Sequence, residues 1–335
     1  MEEILEKIYR QAQDYFSNSP VIVLGSGASA AHGLPGMWQL SEYLKNNIIP
    51  NPEHLKSWNE FIELLNNGVD LESALHQVTL HPDITKDIII KTWELINPKD
   101  IEVFNSIVAS NAMLPLSTII KKLFNSTASD LNIITTNYDR LAEYACDIEG
   151  YYHYSGFTSG LLRTKANKDY LKTKRKVNIW KVHGSLDWFR KENNDLIGLS
   201  NLESYPASLL PEIVTPGIEK YSKTHLEPYR TIIHEADNAL ETSNSYLCIG
   251  YGFNDKHIQE KLVNKCVHGN AKLLILTRNL TEATQEFITT KGCKNYLAFE
   301  IDNEVDTKIY SSLLAEPIVI PNMNFWSLSG FLQLI

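Results

Sequence analysis

Short, continuous apolar runs that stop abruptly at glycine or small polar residues constrain this chain more than any other feature. The first is Val21-Ile22-Val23-Leu24, followed at once by Gly25-Ser26-Gly27-Ala28-Ser29-Ala30. Four apolar residues in succession leave no polar face, so a strand built from them must be covered on both sides, as inside a parallel sheet. Comparable runs recur at 131–135, 177–182, 245–249, 272–276 and 296–299, and helix-like stretches follow several of them, at 138–147, 256–266 and 281–289. Strand alternating with helix at this spacing predicts an α/β fold with a doubly wound parallel sheet.

An amphipathic helix precedes the first run, with Ile4, Leu5, Ile8, Ala12, Tyr15 and Phe16 on one face and an end near Asn18-Ser19-Pro20. Between Leu24 and Leu131 no strand pattern appears, and the interval is too long for one crossover helix. Trp58, Phe61, Ile62 and Leu65 fall at helical spacing there, and Ile89, Trp93 and Ile96 repeat it, so residues 36–128 read as a helical insertion lying over the sheet. A second stretch, 185–225, carries Pro206, Pro211 and Pro216 and reads as an irregular insertion of loops or small strands. The expectation is one domain over 1–335 with two inserts.

Composition narrows the function classes. A chain of 335 residues with 43% hydrophobic and 21% charged residues has ample material for a buried core. No apolar run approaches the roughly 18 residues a membrane span requires, and Met1-Glu2-Glu3 opens no secretory signal, so a cytoplasmic location is expected. Cys146, Cys248, Cys266 and Cys293 form no C-x-x-C pair; free thiols, no zinc ribbon and no metal are expected. The net charge of −9 argues against a general nucleic-acid coat. It also conceals a basic segment at 161–176, where Arg163, Lys165, Lys168, Lys172, Lys174, Arg175 and Lys176 face Asp169 alone. That segment reads either as a solvated loop or as a docking site for an acidic or phosphate-rich partner.

Four motifs sit at strand ends, where ligands of open α/β sheets bind. Gly25-Ser26-Gly27-Ala28-Ser29 could let the backbone approach a pyrophosphate, or could be a plain tight turn. A dehydrogenase fingerprint fits poorly, because Gly33-Leu34-Pro35-Gly36 interrupts the chain and no second strand follows. Thr135-Thr136-Asn137-Tyr138-Asp139 offers an amide able to hold a ribose hydroxyl or a water, or else a helix cap. Val182-His183-Gly184-Ser185 delivers an imidazole suited to accepting a proton. Cys248-Ile249-Gly250-Tyr251-Gly252-Phe253-Asn254-Asp255 runs from a strand into a glycine turn.

Taken together, in this order, the motifs resemble those of the sirtuin-like family of NAD-consuming domains, which show G-A-G-x-S, G-I-P, T-Q-N-x-D, H-G and a later glycine turn. The matching residues here are Gly25 to Ser29, Gly33-Leu34-Pro35, Thr135 to Asp139, His183-Gly184 and Gly250 to Phe253. The resemblance covers roughly 20–34, 131–184 and 245–300 and implies a Rossmann-like, sirtuin-like sheet. Protein-deacylating members carry two C-x-x-C pairs and follow G-I-P with D-F-R; this chain has no such pairs and continues Gly36-Met37-Trp38. What remains is similar to a bacterial antiviral-defence branch that hydrolyses NAD, whose turn commonly reads glycine–aromatic–x–x–x–Asp, as Gly250 to Asp255 does.

The resemblance implies NAD+ as substrate, with its diphosphate on Gly25, Ser26, Gly27 and Ser29 and its nicotinamide carboxamide on Asp139. Pro35, Thr135, Gly250 and Tyr251 join the binding set, and Thr277 and Arg278 are candidates for the adenosine ribose. Asn137 would position the ribose or water, and His183 would act as general base. The expected reaction is hydrolysis to nicotinamide and ADP-ribose in a latent defence effector. A non-catalytic NAD or ADP-ribose binding module and an NAD-dependent deacylase are the alternatives. A separately encoded sensor or a homo-oligomer is the expected activator, with no membrane and no direct nucleic-acid partner. The apolar tail Phe325-Trp326 with Phe331-Leu332 could dock on the domain's own core or on that partner.

Overall fold

A computed structural model describes residues 2–110, 114–126, 128–170, 175–215, 226–303 and 305–335. The first apolar run forms β1 (Val21–Leu24), and it lies in the middle of a nine-stranded sheet. On one side come β2 (Asp130–Thr135), β5 (Lys176–Lys181) and β3 (Tyr152–Tyr154); on the other come β9 (Ser245–Ile249), β10 (Lys272–Thr277) and β11 (Asn295–Asp302). These seven strands are parallel. β12 (Asp306–Ser311) and β13 (Ile318–Ile320) extend the β11 edge antiparallel, a continuation that the apolar-run pattern does not announce. The order reverses at β1, which pairs with β2 in register Leu24↔Thr135 and with β9 in register Leu24↔Ile249.

Both faces of the sheet are covered, which is why the runs are apolar throughout. Ile22 and Leu24 of β1 enter a core shared with Ile8 and Phe16 of α1 (Glu2–Ser17) and Ile120 of α7 (Pro115–Phe124). Val21 and Val23 enter the opposite core with Leu240 of the helix Tyr229–Thr242, Leu262 of the helix Lys256–His268 and Phe287 of the helix Glu282–Thr289. The apolar tail lies in the first core: Phe325, Phe331 and Leu334 are all buried there.

Between β1 and β2 the chain forms the short α2 (Ser26–Ala30), then α3 (Met37–Asn47), α4 (Leu55–Asn66), α5 (Leu71–Gln77), α6 (Pro82–Ser110) and α7. Leu44, Trp58, Phe61, Leu71 and Leu75 make a core belonging to these helices. α6 ties that core to the sheet, since its Ile84 and Ile88 lie in the helical core and its Ile89, Trp93 and Ile96 in the sheet core.

One expectation needs correction. The helix expected from 138 begins only at Leu141, as α8 (Leu141–Ile148). Residues 136–140 stay in a loop because Tyr138 donates its hydroxyl to the Val214 carbonyl and Arg140 is drawn to Asp100 on α6. The stretch expected after 185 as loops or small strands holds three short strands joined by loops: β6 (Gly184–Lys191), β7 (Leu196–Leu199) and β8 (Leu209–Ile213) join β4 (Leu162–Thr164) in a second, antiparallel sheet. Its strands are largely buried but mix polar residues such as Asp187 and Glu212 with the apolar ones, a weaker signal than a continuous apolar run. Residues 216–225 of that stretch lie outside the described residues.

Four of the seven cations in 161–176 are engaged within the fold. Arg163 pairs with Asp187, Lys168 with Glu235 and Lys176 with Asp130, while Arg175 sits 6.0 Å over the Phe124 ring. Lys172 and Lys174 lie outside the described residues.

Candidate functional site

The strand order reverses at β1, and the crevice outside the carboxyl ends of the strands at such a reversal is where doubly wound sheets bind ligands. A cavity of about 400 Å³ occupies this position. Its floor is built by interlocked backbones. The Gly25 amide donates to the Ile249 carbonyl and the Gly27 amide to the Gly250 carbonyl, each at 3.1 Å. A Cβ on Gly25 would lie 2.4 Å from the Gly250 oxygen, and one on Gly250, whose φ is +55°, would lie 2.3 Å from the Ala28 nitrogen. Glycine is therefore required here by the contact of two turns. The amides of Gly25 and Gly27 are engaged by that contact, which leaves the Ser26 side of the turn to meet a ligand.

Ser29 is the hub of the next layer. Its buried hydroxyl donates to Asp139 Oδ2 at 2.5 Å and accepts from Asn137 Nδ2 at 2.7 Å. Asn137 Nδ2 also donates to the Gly25 carbonyl at 2.8 Å, and the Asn137 backbone amide donates to Thr135 Oγ1 at 3.0 Å. Both amide protons of Asn137 are thus fixed on the protein, so its carbonyl oxygen is the end available to a ligand. Ser29 serves Asn137 rather than a phosphate, because its one proton is already committed.

Asp139 accepts from the Leu141 amide as well, and burial pushes its carboxyl above the usual range, opposed by the nearby charge of Lys181. Lys181, fully buried, donates to the Asp139 carbonyl and pairs with Glu143 at 3.2 Å. Behind them, Asp100 of α6 receives the backbone amide and guanidinium of Arg140 and the hydroxyl of Tyr144. The inserted helix thereby holds the loop that carries Asn137.

His183 stands between the two sheets, after the end of β5 and immediately before β6. Gly184 turns the chain with φ +88°, and a Cβ there would lie 2.2 Å from the Glu212 carbonyl oxygen. His183 Nε2 lies 2.9 Å from Asp255 Oδ2. A carboxylate only accepts, so Nε2 carries the proton and Nδ1 the lone pair of the neutral ring. Among the described residues no hydrogen bond reaches Nδ1.

Of the residues expected to form the site, Gly25, Ser26, Gly27, Ser29, Pro35, Asn137, Asp139, His183, Gly250, Tyr251 and Thr277 all line the cavity. Two do not. Thr135 is buried beneath the cavity and acts through the Asn137 amide. Arg278 is exposed outside the lining, and Asn279 and Thr281 take the positions beyond Thr277. The insertion supplies a wall that sequence reasoning missed, with Leu40, Glu72 and Ile96 from α3, α5 and α6. Asp255 was legible only as the last residue of the glycine-turn motif. Its partnership with His183 joins positions 72 apart in sequence. The four cysteines are buried, and burial raises the thiols of Cys146 and Cys248, so neither supplies a ready thiolate.

A doubly wound α/β domain with a polar cavity at its topological switch point defines a class of ligand-binding and catalytic proteins. Residues 131–294 match a family model described as a SIR2-like domain, a span that includes Asn137, His183 and Asp255. Just under half of the chain is thus similar to a SIR2-like domain. No curated protein matches it. Among solved structures it is similar to a Sir2 homolog–NAD complex, at 15% identity and a TM-score of 0.43, with 89% of this chain and 88% of that one covered. It is also similar to Sir2Tm bound to a propionylated peptide, at 13% identity and a TM-score of 0.43, with 88% and 91% covered.

Proposed function

We propose that the cavity takes NAD+ and that the chain hydrolyses the nicotinamide–ribose bond, giving nicotinamide and ADP-ribose. The observation that carries this reading is the pairing, in one cavity, of an immobilised Asn137 carbonyl with a His183 whose basic nitrogen is defined by Asp255. Cleavage needs no general acid, because nicotinamide leaves as a neutral molecule from a cationic pyridinium. The ribose becomes oxocarbenium-like as the bond breaks. Asn137 Oδ1 orients the ribose hydroxyls or the incoming water. His183 Nδ1 removes the proton of that water as its oxygen bonds to the anomeric carbon, and Asp255 stabilises the imidazolium that results.

The charge of the cavity favours this direction. Its lining holds Glu72, Asp139 and Asp255 and, among the described residues, no lysine or arginine. Carboxylates near a developing cation stabilise the transition state, whereas the diphosphate is left to hydroxyl and amide donors. Hydrolysis is favoured over deacylation because the chain between His183 and β9 contains no cysteine and so no zinc ribbon of the deacylating kind.

We further propose that the activity is latent and serves antiphage defence by depleting NAD+, released by a separately encoded sensor or by self-assembly. The test is to measure nicotinamide and ADP-ribose in cells expressing the chain with its genomic neighbours, before and after phage challenge. Release that rises on challenge and disappears in His183→Ala and Asn137→Ala supports the proposal. Undiminished release in both variants would overturn the mechanism.

A further inference from the structure

The helical insertion carries a cluster of ligand-type side chains apart from the cavity lining. His54 ends a one-turn helix, Pro52–His54, and His81 and Asp83 flank Pro82 at the start of α6. The two imidazoles stack, with centroids 3.7 Å apart and planes inclined by 15°. Asp83 Oδ2 lies 3.4 Å from His81 Nδ1 and 4.0 Å from His54 Nε2, and one ligand atom of each residue falls within 4.8 Å of the others. We propose that His54, His81 and Asp83 bind one divalent cation of the zinc class, with water completing the coordination on the open side.

Two imidazoles and one carboxylate form a borderline donor set that suits zinc and its neighbours, not the oxygen-seeking Mg²⁺ or Ca²⁺. Tetrahedral zinc with bonds of about 2.0–2.1 Å holds its ligand atoms roughly 3.3 Å apart. The Asp83–His81 separation of 3.4 Å already meets that, and His54 at 4.0 Å has to close by roughly 0.7 Å to reach it. The nearly parallel rings direct their lone pairs into parallel planes, so binding tilts one ring out of the stack. The Asp83 backbone amide donates to His81 Nδ1 at 3.3 Å, so that nitrogen carries the lone pair, and a metal ion taking it displaces this long hydrogen bond. Asp83 has 71% of its side chain exposed, leaving space for a water ligand.

An ion here would fasten the turn before α4 to the first residues of α6. Further along, α6 supplies Ile96 to the cavity wall and Asp100 to Arg140. Binding that occurs only in the folded state adds to stability, so occupancy stiffens the insertion from its outer end.

The experiment uses the full chain without a histidine tag, stripped by chelation, and titrated with Zn²⁺ against a chromophoric chelator, with thermal melting alongside. One equivalent should bind and raise Tm. His81→Ala and Asp83→Asn should each weaken binding at least tenfold and abolish the Tm rise. Their metal-free Tm should match the parent, and if His81→Ala melts early the exposed Asp83→Asn carries the comparison alone. The proposal is overturned if the parent takes up no Zn²⁺, if the variants bind as tightly as the parent, or if Mg²⁺ raises Tm as much as Zn²⁺.

Discussion

At the scale of single residues, the site separates groups that meet the ligand from groups that hold them. In the proposed reaction Asp255 is in the second class: Asp255→Asn should lower nicotinamide release about 100-fold or more, by analogy with loss of tautomer control in other histidine–aspartate pairs, with little change in KM. Steady-state kinetics on the activated system would check the split. Asp139 allows a prediction independent of turnover. Its carboxyl titrates above the ordinary range because burial disfavours the charge. Stability tied to its neutral form is complete below about pH 3.9 and is lost as pH rises through its elevated folded value. Asp139→Asn, neutral throughout, should therefore gain on the parent in urea unfolding as pH rises above about 3.9. Parallel curves would mean the carboxyl is not perturbed. Gly250→Ala should cost about 3 kcal/mol or more, since it adds a positive-φ penalty to a backbone clash; chemical denaturation would measure it.

Among elements, α6 does the most to connect parts of the molecule. Asp100 neutralises Arg140 where both are almost fully buried. Asp100→Ala would strand a guanidinium in the interior, and an expected loss of about 3–5 kcal/mol follows, readable from the urea midpoint. Asp187 behaves oppositely to Asp139. Burial alone would raise its carboxyl, but Arg163, Lys181 and Arg140 together hold it well below the usual range. Its contribution is present above about pH 3.9 and is lost as pH falls toward the folded value. The stability gap between the parent and Arg163→Ala should accordingly narrow in acid.

The elements also explain what sequence reading could reach. Gly25, Asn137, His183 and Gly250 were legible because each follows an apolar strand, and the strand ends of a parallel sheet share one edge. Glu72 and Asp100 were not, because helical periodicity reveals which face of α5 or α6 is apolar and nothing about where that face is carried. Arg278 stands outside the cavity lining for a related reason. Being next to a strand end places a residue near the edge, but here the chain turns so that Asn279 and Thr281 meet the cavity and Arg278 meets solvent.

At the scale of the molecule, α1 and residues 325–335 are tied to the same core. Gln13 of α1 donates to the Leu334 carbonyl, Gln11 accepts from Ser311 of β12, and Lys122 donates to the Ile335 carbonyl. Removing residues after Met323 would expose the core that Phe325 and Phe331 fill, at about 1.5–3 kcal/mol for each ring. Such a truncation should lose stability in thermal melting, which distinguishes a core role for the tail from a docking role.

The position of β1 has a consequence for biosynthesis. This strand and α1 are translated before β9, which emerges more than two hundred residues later, and α1 packs on β9, β10 and β11. Until then the apolar stripe of Ile8, Ala12, Tyr15 and Phe16 has no sheet to cover it, and the turn at Gly25 lacks its counterpart at Gly250. Contacts so distant in sequence close late and slowly. A nascent chain stalled before β9 would therefore lack the turn at 250–255 and with it one wall of the cavity.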